Sequence, residues 1–269
     1  MTEGTKASKS LSVFSRRKRV YTVTILCVLA LFFFASAVTR YDPSAGLAAL
    51  PRAFLWIVSN LVPDEKALTR LPNILKKLTE TALLSVAVTV TAAVFAFFFS
   101  LMGSKTTRPS EPAAKAVRIT AAFFRNVPDV VWAILLMFSF GQNILTGFFA
   151  LFFTTFGMLT RAFIETVDEV SADCVEALHA TGATYMQTVF QGIVPSSVSE
   201  ILTWVLFMIE TNIRSSTLIG ILTGTGIGYL FDLYYKRLDY ASASLVVLSI
   251  VVLVIVLETI TGKIRKVIL

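Results

Sequence analysis

The first long apolar run extends from Val20 to Val38 and contains no charged residue. A helix needs about 20 such residues to cross the hydrocarbon core of a bilayer, so this run predicts a membrane span. Four basic residues at positions 16–19 precede it, an arrangement that also occurs in cleaved signal peptides. Because no convincing small-residue cleavage site followed by a soluble domain comes after the run, we interpret it as an anchor. Residues 1–19 then form a short basic N-terminus.

The rest of the chain is also strongly apolar. Of the 269 residues, 55% are hydrophobic, 15% are charged and 22 are phenylalanine, which an ordinary soluble domain does not tolerate on its surface. Five more apolar segments follow, at residues 82–102, 119–140, 144–164, 198–222 and 242–260. The sequence therefore predicts an all-α integral membrane protein, with six transmembrane helices in a membrane domain that covers residues 20–269.

The charged loops predict the topology. Six spans place both chain ends on one side of the membrane, together with the polar stretch at residues 165–197 and a basic loop at residues 105–118. The positive-inside bias makes this side the cytoplasm, although the outer loop, residues 39–79, carries basic residues too. The net charge of +7 is thus explained by topology. Nucleic acid is not an expected partner, because the basic residues form no single stripe.

The outer loop has its own organisation. It is too apolar for a free linker, and Pro43, Pro51, Pro63 and Pro72 interrupt it too often for a span. We expect short helices that lie at the membrane surface and pack around the bundle. Trp56 suits this position, because its ring is apolar while its N–H needs a polar partner.

Residues typical of catalysis are scarce. His179 is the single histidine, and the two cysteines, Cys27 and Cys174, lack the spacing of metal ligands. The Gly262-Lys263 pair lacks the other residues of a phosphate-binding P-loop. The glycines at residues 224–228 do not complete a dinucleotide fingerprint, so they predict a turn or close backbone approach at the end of a span. We expect no enzyme activity, metal or cofactor in this chain itself.

The polar stretch at residues 165–197 is unsuited to lipid. Acidic residues recur in it at three- and four-residue steps beside a second, apolar stripe, which predicts an amphipathic helix over residues 165–182. The acidic residues are Glu165, Asp168, Glu169, Asp173 and Glu176, and the apolar stripe contains Val167, Val170, Cys174 and Leu178. Gly182 can end this helix, Thr184 can cap a second short helix, and Pro195 lets the chain turn before the next span. A docking helix-turn-helix and a surface loop without a partner both fit this pattern.

A signature within this stretch resembles a known family. Glu176-Ala177-Leu178, followed after three residues by Gly182 and after twelve more by Pro195, is similar to the EAA signature of ABC importer permeases. In that family the loop seats in a cleft on the cytoplasmic ATPase, so we name residues 165–197 the coupling loop. The match departs at Leu178, where a second alanine is usual, and near Gly192 and Val194, where larger aliphatic residues are usual.

The resemblance extends to the phosphonate-type branch of these permeases. It rests on four segments, at residues 60–89, 123–137, 176–228 and 258–266. It implies a type I importer permease in the bacterial inner membrane, working with a second permease subunit, two ATPase subunits that hold ATP and Mg²⁺, and an extracytoplasmic binding protein. The two permease subunits are identical or a pair of different chains. The implied cargo is a small phosphorus oxyanion, phosphonate first, with phosphite, hypophosphite, phosphate and other small solutes left open.

Charged residues also occur inside the fifth predicted span. Glu210 and Arg214 lie four residues apart on one helix face, and charges at membrane depth usually face a cavity or each other. One interpretation is an ion pair that braces the bundle. The other is a translocation path, with Arg214 facing an oxyanion; its candidate residues are Glu210, Asn212, Arg214, Ser215 and Ser216. Arg125 and Asp129 are spaced likewise around Pro128, and we interpret them as a braced kink.

The predicted mechanism is alternating access, in which closure of the ATPase subunits moves the coupling loops and turns the path outward. Glu176 to Gly182 is the expected handle. An ATPase-independent channel or secondary transporter is the first alternative, but it would not need the predicted helix-turn-helix at Glu176 to Gly182. A membrane scaffold without transport does not need charges in the fifth span.

Overall fold

The computed structural model describes residues 3–60, 62–170 and 172–268, and side chains at 16–60, 62–169 and 174–267. All regular structure in these residues is helical, as predicted. The helices are α1 (Glu3–Thr39), α2 (Pro43–Asn60), α3 (Glu65–Leu68), α4 (Leu71–Gly103), α5 (Glu111–Asn126), α6 (Asp129–Phe140), α7 (Ile144–Val170), α8 (Ala172–Ala180), α9 (Tyr185–Gln187), a π-helical segment (Thr188–Ile193), α10 (Val194–Thr223), α11 (Gly226–Lys236) and α12 (Tyr240–Ile268). The chain forms two compact units, Met1–Ser59 and Asn60–Leu269.

The first unit contains the predicted anchor and most of α2. The stretch of α1 from Arg16 to Thr39 is long and apolar enough to cross a membrane, and nearly all of its side chains are exposed, as expected of a helix surrounded by lipid. Pro43 starts α2, where its missing N–H costs nothing, whereas Pro51 lies inside the helix. The outer loop is therefore helical, and its position at the membrane surface stays a prediction.

Helices α4 and α7 of the second unit run parallel. Val88 shares a buried cluster with Leu151, Ala96 shares one with Leu159, and Leu101 shares one with Val167, so residue numbers rise together along both helices. Because both helices end at the same end of the bundle, α5 and α6 must carry the chain back across it. We name this end, which holds residues 103–111 and 164–193, the coupling-loop end.

Helices α5 and α6 form this return as one broken span, bent by 88°. Val127, between them, is extended at φ −91° and ψ 119° because the following Pro128 disfavours helical geometry there. The predicted kink is confirmed, but its brace is not. The Asp129 carboxylate accepts the N–H of Val130 at 3.0 Å, and among the described residues Arg125 has no carboxylate within 4.0 Å.

Helix α10 runs antiparallel to α4 and α7. Its Asn212 amide nitrogen donates to the hydroxyls of Thr89 in α4, at 2.8 Å, and Thr155 in α7, at 2.9 Å. Ser85 donates to Ser216 at 3.1 Å, one turn further along. These bonds satisfy polar groups that neither lipid nor an apolar core can satisfy. They hold the three central helices together at membrane depth.

The glycine-rich connection after α10 turns the chain at the opposite end of the bundle, as predicted. Gly224 ends α10 with φ +67° and Gly226 has φ +62°, conformations that side chains with a Cβ rarely adopt. The N–H of Ile227 then donates to Thr81 at 2.8 Å. Helix α12 starts beside Ile74 of α4 and α11, and its 29 residues are long enough to return across the bundle.

An ion pair joins the start of α4 to the start of α12 at this opposite end. Arg70 contacts Asp239, donates to the hydroxyl of Ser242 at 2.9 Å, and lies 4.9 Å from the ring centre of Tyr234. Burial acts to raise the pKa of Asp239, but bonds from Ser242 and Arg70 outweigh it and hold this pKa below its ordinary value. The carboxylate is therefore ionised at neutral pH and keeps the two helix starts together.

Several helices extend beyond the apolar spans predicted for them, and α4 and α7 are examples. Helix α4 begins at Leu71, well before residue 82, and its polar start carries the Lys77–Glu80 pair at 2.7 Å. Helix α7 continues past residue 164 to Val170. Hydropathy marks the part of a helix that suits lipid, whereas hydrogen bonding continues the helix into the polar layer. Six spans are nevertheless present when α5 and α6 count as one.

Candidate functional site

The first part of the coupling loop is helical, as predicted. Glu165, Asp168 and Glu169 lie in α7, and α8 extends from Ala172 to Ala180. Glu165 pairs with Arg161 of the same helix at 2.7 Å. Ser171 and the side chains of Val170 and Asp173 lie outside the described residues. Residues 165–170 and 172–180 are thus helical, and a single amphipathic helix over residues 165–182 stays a prediction, because Ser171 between them is not described.

Asp168 anchors the loop between α4 and α5, a role that we did not predict. Its Oδ1 accepts the Ser104 hydroxyl at 2.5 Å and the Lys105 N–H at 2.7 Å, while its Oδ2 lies 3.5 Å from Arg118 Nη2. Bonds to an ionised carboxylate are stronger than neutral ones. Asp168, near the start of the coupling loop, thus ties α7 to the end of α4 and to α5. The sequence signal, a polar stretch at residues 104–107, names no partner.

The turn of the coupling loop lies at Gly182, as predicted. Gly182 has φ +78°, and no atom lies within 4 Å of the position that a Cβ would occupy. Its N–H donates to the His179 carbonyl at 3.0 Å, which satisfies one of the last carbonyls of α8. Thr184 then caps α9, where Gln187 Oε1 accepts the Thr184 N–H at 2.8 Å and its hydroxyl at 2.9 Å.

Leu178 and Gly192 compensate for each other. A Cβ on Gly192 would lie 2.7 Å from Leu178 Cδ1 and 3.3 Å from Cys174 Sγ. The larger residue at 178 therefore occupies the space that a side chain at 192 would need. Both positions depart from the EAA pattern: Leu178 is larger than the usual residue, and Gly192 is smaller. Their contact packs α8 against the π-helical segment and preserves the helix-turn-helix.

Pro195 does not turn the chain. It lies in the first turn of α10, and residues 185–223 form one continuous helical run that includes the π-helical segment. The N–H of Val194 bonds the carbonyl of Val189, five residues earlier. A π-type turn widens the helix, which accommodates a proline that has no N–H to donate. The predicted turn at Pro195 is therefore wrong, and the reversal occurs at residues 181–184.

The outer surface of the coupling loop combines an acid with apolar groups. Glu176 and Ala177 are exposed, and Tyr185, Met186 and Phe190 are 51%, 61% and 63% exposed. Exposed large apolar side chains at this end of the bundle are typical of a protein contact. The exposed side chains of the coupling loop are therefore a candidate docking surface.

The charged pair of α10 is present. Arg214 Nη2 donates to Glu210 Oε1 at 2.7 Å, and the side chains are 49% and 12% exposed, respectively. Glu210 therefore lies against the bundle while Arg214 reaches its surface. Ser215 is half-buried, whereas Asn212 and Ser216 are enclosed by their bonds to α4 and α7. Both side chains pack against neighbouring helices of the chain, and their assignment to the translocation path stays a prediction.

This arrangement defines a multi-pass helical membrane protein with a structured polar loop and an accessible cation on α10. The sequence profile of the family "Binding-protein-dependent transport system inner membrane component" matches residues 99–268, more than half of the chain. The chain belongs to this family. It is an inner-membrane permease subunit of an ABC importer and is not itself the ATPase. Membership implies an ATPase and a binding protein as partners.

Named relatives share much of the sequence. HtxC of Stutzerimonas stutzeri, the permease of a proposed phosphite transport system, is 26% identical over 95% of this chain and 89% of its own length. The phosphate-import permease protein PhnE of Mycolicibacterium smegmatis is 29% identical over 71% of this chain and 36% of its own length. The chain thus spans about a third of that relative.

Solved structures share the fold. The structure of an amino acid ABC transporter with bound histidines superposes on 74% of this chain and 95% of its own, with a TM-score of 0.64 and 14% sequence identity. An inward-facing structure of the MetNI methionine transporter has a TM-score of 0.60 and 18% identity over 73% of this chain. At these identities the likeness concerns the fold, which is that of type I importer permeases.

Proposed function

We propose that this chain forms the translocation path of an ATP-driven importer for a small phosphorus oxyanion, phosphonate first, delivered by an extracytoplasmic binding protein. Family membership carries the transport role. The cargo is supported by the named relatives, which are described as phosphite and phosphate permeases. Phosphite, hypophosphite and phosphate remain alternatives for the same path.

The coupling loop is the proposed handle for the ATPase. Glu176, Ala177, Leu178, Gly182 and Pro195 carry the EAA-type pattern. The first two residues are exposed, Leu178 packs inward, and Gly182 makes the reversal. ATP and Mg²⁺ belong to two cytoplasmic ATPase subunits in this proposal. Their closure moves α8 and, through Asp168 and the π-helical segment, the ends of α7 and α10.

The proposed path follows the exposed face of α10. Arg214 is half-exposed at membrane depth, where contact of a charge with lipid is costly. We place Arg214 toward a second permease subunit, a copy of this chain in the simplest case, with Glu210 orienting its guanidinium and Ser215 beside it. Asn212 and Ser216, first assigned to the path, support this face from inside the bundle.

The proposed orientation places the coupling-loop end and both chain termini in the cytoplasm. Basic residues at 105–118 and 263–266 would then lie on the inner side, in line with the positive-inside bias. The direction of α12 supports this position for the C-terminus.

The test is uptake by cells that lack the gene. Labelled methylphosphonate, phosphite and phosphate are supplied separately, and we expect loss of uptake of at least one of them, restored by the wild-type gene and abolished by depletion of ATP. Unchanged uptake of all three oxyanions would reject the cargo class. Restored uptake that persists without ATP would instead favour a channel or secondary transporter.

A further inference from the structure

A basic cavity of about 370 Å³ lies between α5 and α7 at the coupling-loop end. Its charged lining consists of Lys105, Arg118, Arg125, Arg161, Glu165 and Asp168. A second space of about 260 Å³ shares Arg125, Arg161 and Glu165 and is bounded by Trp204 of α10. Trp204 and Arg214 are ten residues apart on α10, which is about 80° around the helix and about 15 Å along it, so Trp204 lies nearer the coupling-loop end. Together the two spaces reach from α5 and α7 to Trp204 of α10.

The charges in the basic cavity do not balance. Both carboxylates are engaged within the chain, Glu165 with Arg161 at 2.7 Å and Asp168 with Arg118 at 3.5 Å. Among the described residues, the side chains of Lys105 and Arg125 have no carboxylate within 4.0 Å. Four cations against two anions leave a net charge of +2.

One guanidinium group of this lining lacks a full set of partners. Arg118 Nε donates to the Gly103 carbonyl at 2.9 Å, but Arg118 Nη2 is buried and makes no hydrogen bond. Its contact with Asp168 is an ion pair too long for a hydrogen bond. A buried donor without an acceptor is costly, so an additional oxygen ligand would stabilise it.

The backbone of Arg125 lies well inside the bundle. An added Cβ on Gly157 of α7 would lie 2.7 Å from the Arg125 backbone nitrogen. Gly157 and Val170 are 13 residues apart, so the Arg125 backbone lies about 20 Å from Val170 along α7. A cation that starts at this depth and has no carboxylate partner needs water or an anion, because lipid does not solvate it.

We propose that the basic cavity binds a tetrahedral phosphate-type oxyanion. A dianion matches the net charge of +2, and the planar guanidinium forks of Arg118 and Arg125 suit its oxygens, as arginine does in phosphate sites generally. A free oxyanion leaving the path and the phosphate of an anionic lipid offer the same chemistry. For the leaving oxyanion, this inference rests on the proposed function.

The test measures binding to the purified full-length chain without ATPase or binding protein. Nanodiscs of neutral phosphatidylcholine are equilibrated with ³²P-labelled inorganic phosphate. The double variant Lys105→Gln with Arg125→Gln, which we name the cavity variant, removes the two unpaired cations and leaves both ion pairs intact. The matched control, Lys76→Gln with Arg237→Gln, removes the same charges at the opposite end of the bundle. Melting temperatures check that both variants are folded.

We expect saturable phosphate binding by the wild type and the control, weakened at least about tenfold in the cavity variant, since bonds to charged groups contribute that much. Arg125→Lys keeps the charge but not the planar guanidinium, so its phosphate affinity should be intermediate between those of the wild type and the cavity variant. A second arm measures phosphatidylglycerol retained after purification from mixed lipid. Retention by wild type and control but not by the cavity variant, without phosphate binding, supports the site with a lipid ligand.

Two results would overturn the proposal: equal phosphate and lipid binding by the cavity variant and the wild type, or neither ligand bound by the wild type. The outcome is separable from that of the uptake experiment. The purified chain could bind phosphate and lose that binding in the cavity variant, while uptake by cells does not depend on the gene. That combination would reject the proposed function but support the binding site.

Discussion

At the scale of single residues, the coupling loop depends on side chains whose size is set by their neighbours. Gly182 is required by its backbone conformation alone, because the space around it is open. Gly192 is required by packing alone, because Leu178 and Cys174 occupy the position of its missing side chain. The two glycines therefore respond differently to substitution.

Gly182→Val should abolish ATP-dependent uptake while membrane insertion stays normal. A β-branched residue resists a φ of +78°, and the left-handed conformation costs an ordinary residue about 1–2 kcal/mol. Uptake and the amount of membrane-inserted protein are measured together. Gly182→Asn is the control, since asparagine tolerates this conformation and should keep most of the uptake. Full uptake by Gly182→Val would contradict the proposed handle.

Gly192→Leu should lower both the melting temperature and uptake, and adding Leu178→Ala should recover much of the loss. The single change overpacks the contact between α8 and the π-helical segment, at about 1–3 kcal/mol, whereas the double change exchanges the large and small residues. A double variant no better than Gly192→Leu would show that the two sites are independent.

At the scale of helices, hydrogen bonds between polar side chains join neighbouring helices at particular positions along the bundle. Asp168 joins the end of α7 to the loop before α5, and Asn212 joins α10 to α4 and α7. The Glu210–Arg214 pair differs, because one partner is accessible. Burial thus distinguishes the side chains that join helices from a side chain that is accessible at the surface of the bundle.

Asp168→Asn should lower the melting temperature, because the amide keeps the shape but loses the charge that Ser104, Lys105 and Arg118 contact. The expected loss in unfolding free energy is about 2 kcal/mol. Glu169→Gln, an exposed change on the next residue, is the matched control. Equal melting temperatures of the two variants would remove Asp168 as an anchor.

Arg214→Ala should leave the complex assembled and stable but nearly stop uptake, and Arg214→Lys should reduce uptake partly, because lysine keeps the charge but not the planar fork. A bracing role predicts otherwise. Removal of Arg214 would then strand Glu210, and the double change to Gln at both positions would restore stability. Recovery of both melting temperature and uptake by the double variant would reject the path interpretation.

At the scale of the whole molecule, the exposed side chains of the coupling loop are the candidate docking surface. Glu176, Tyr185, Met186 and Phe190 are all exposed. Apolar contact supplies most of the affinity of such surfaces, and charge governs orientation and salt dependence.

Glu176→Lys should weaken docking of the ATPase in a salt-dependent manner if the cleft is basic. Co-purified ATPase is quantified at low and high ionic strength, where screening reduces the difference between variant and wild type. Ala177→Ser, a small uncharged change at the adjacent exposed position, serves as the control. Equal recovery of ATPase at low salt would refute the electrostatic contribution.

The sequence alone determined the class of protein, the number of spans and the position of the coupling turn. The length of an apolar run decides whether it can cross a membrane, so Val20–Val38 predicts a span without knowledge of the rest of the fold. A left-handed backbone conformation favours glycine, so Gly182 likewise predicts a turn from local sequence alone. The EAA-type spacing from Glu176 to Pro195 likewise identified the loop.

Only the tertiary structure decided which polar residues are structural and which are accessible. Asn212 and Arg214 lie two residues apart, but one is enclosed by α4 and α7 while the other reaches the surface. The bonds of Asp168 and the Leu178–Gly192 contact join residues from different elements. Burial and pairing depend on which helix faces pack against each other. A single sequence does not specify these contacts, because the contacting residues are distant along the chain.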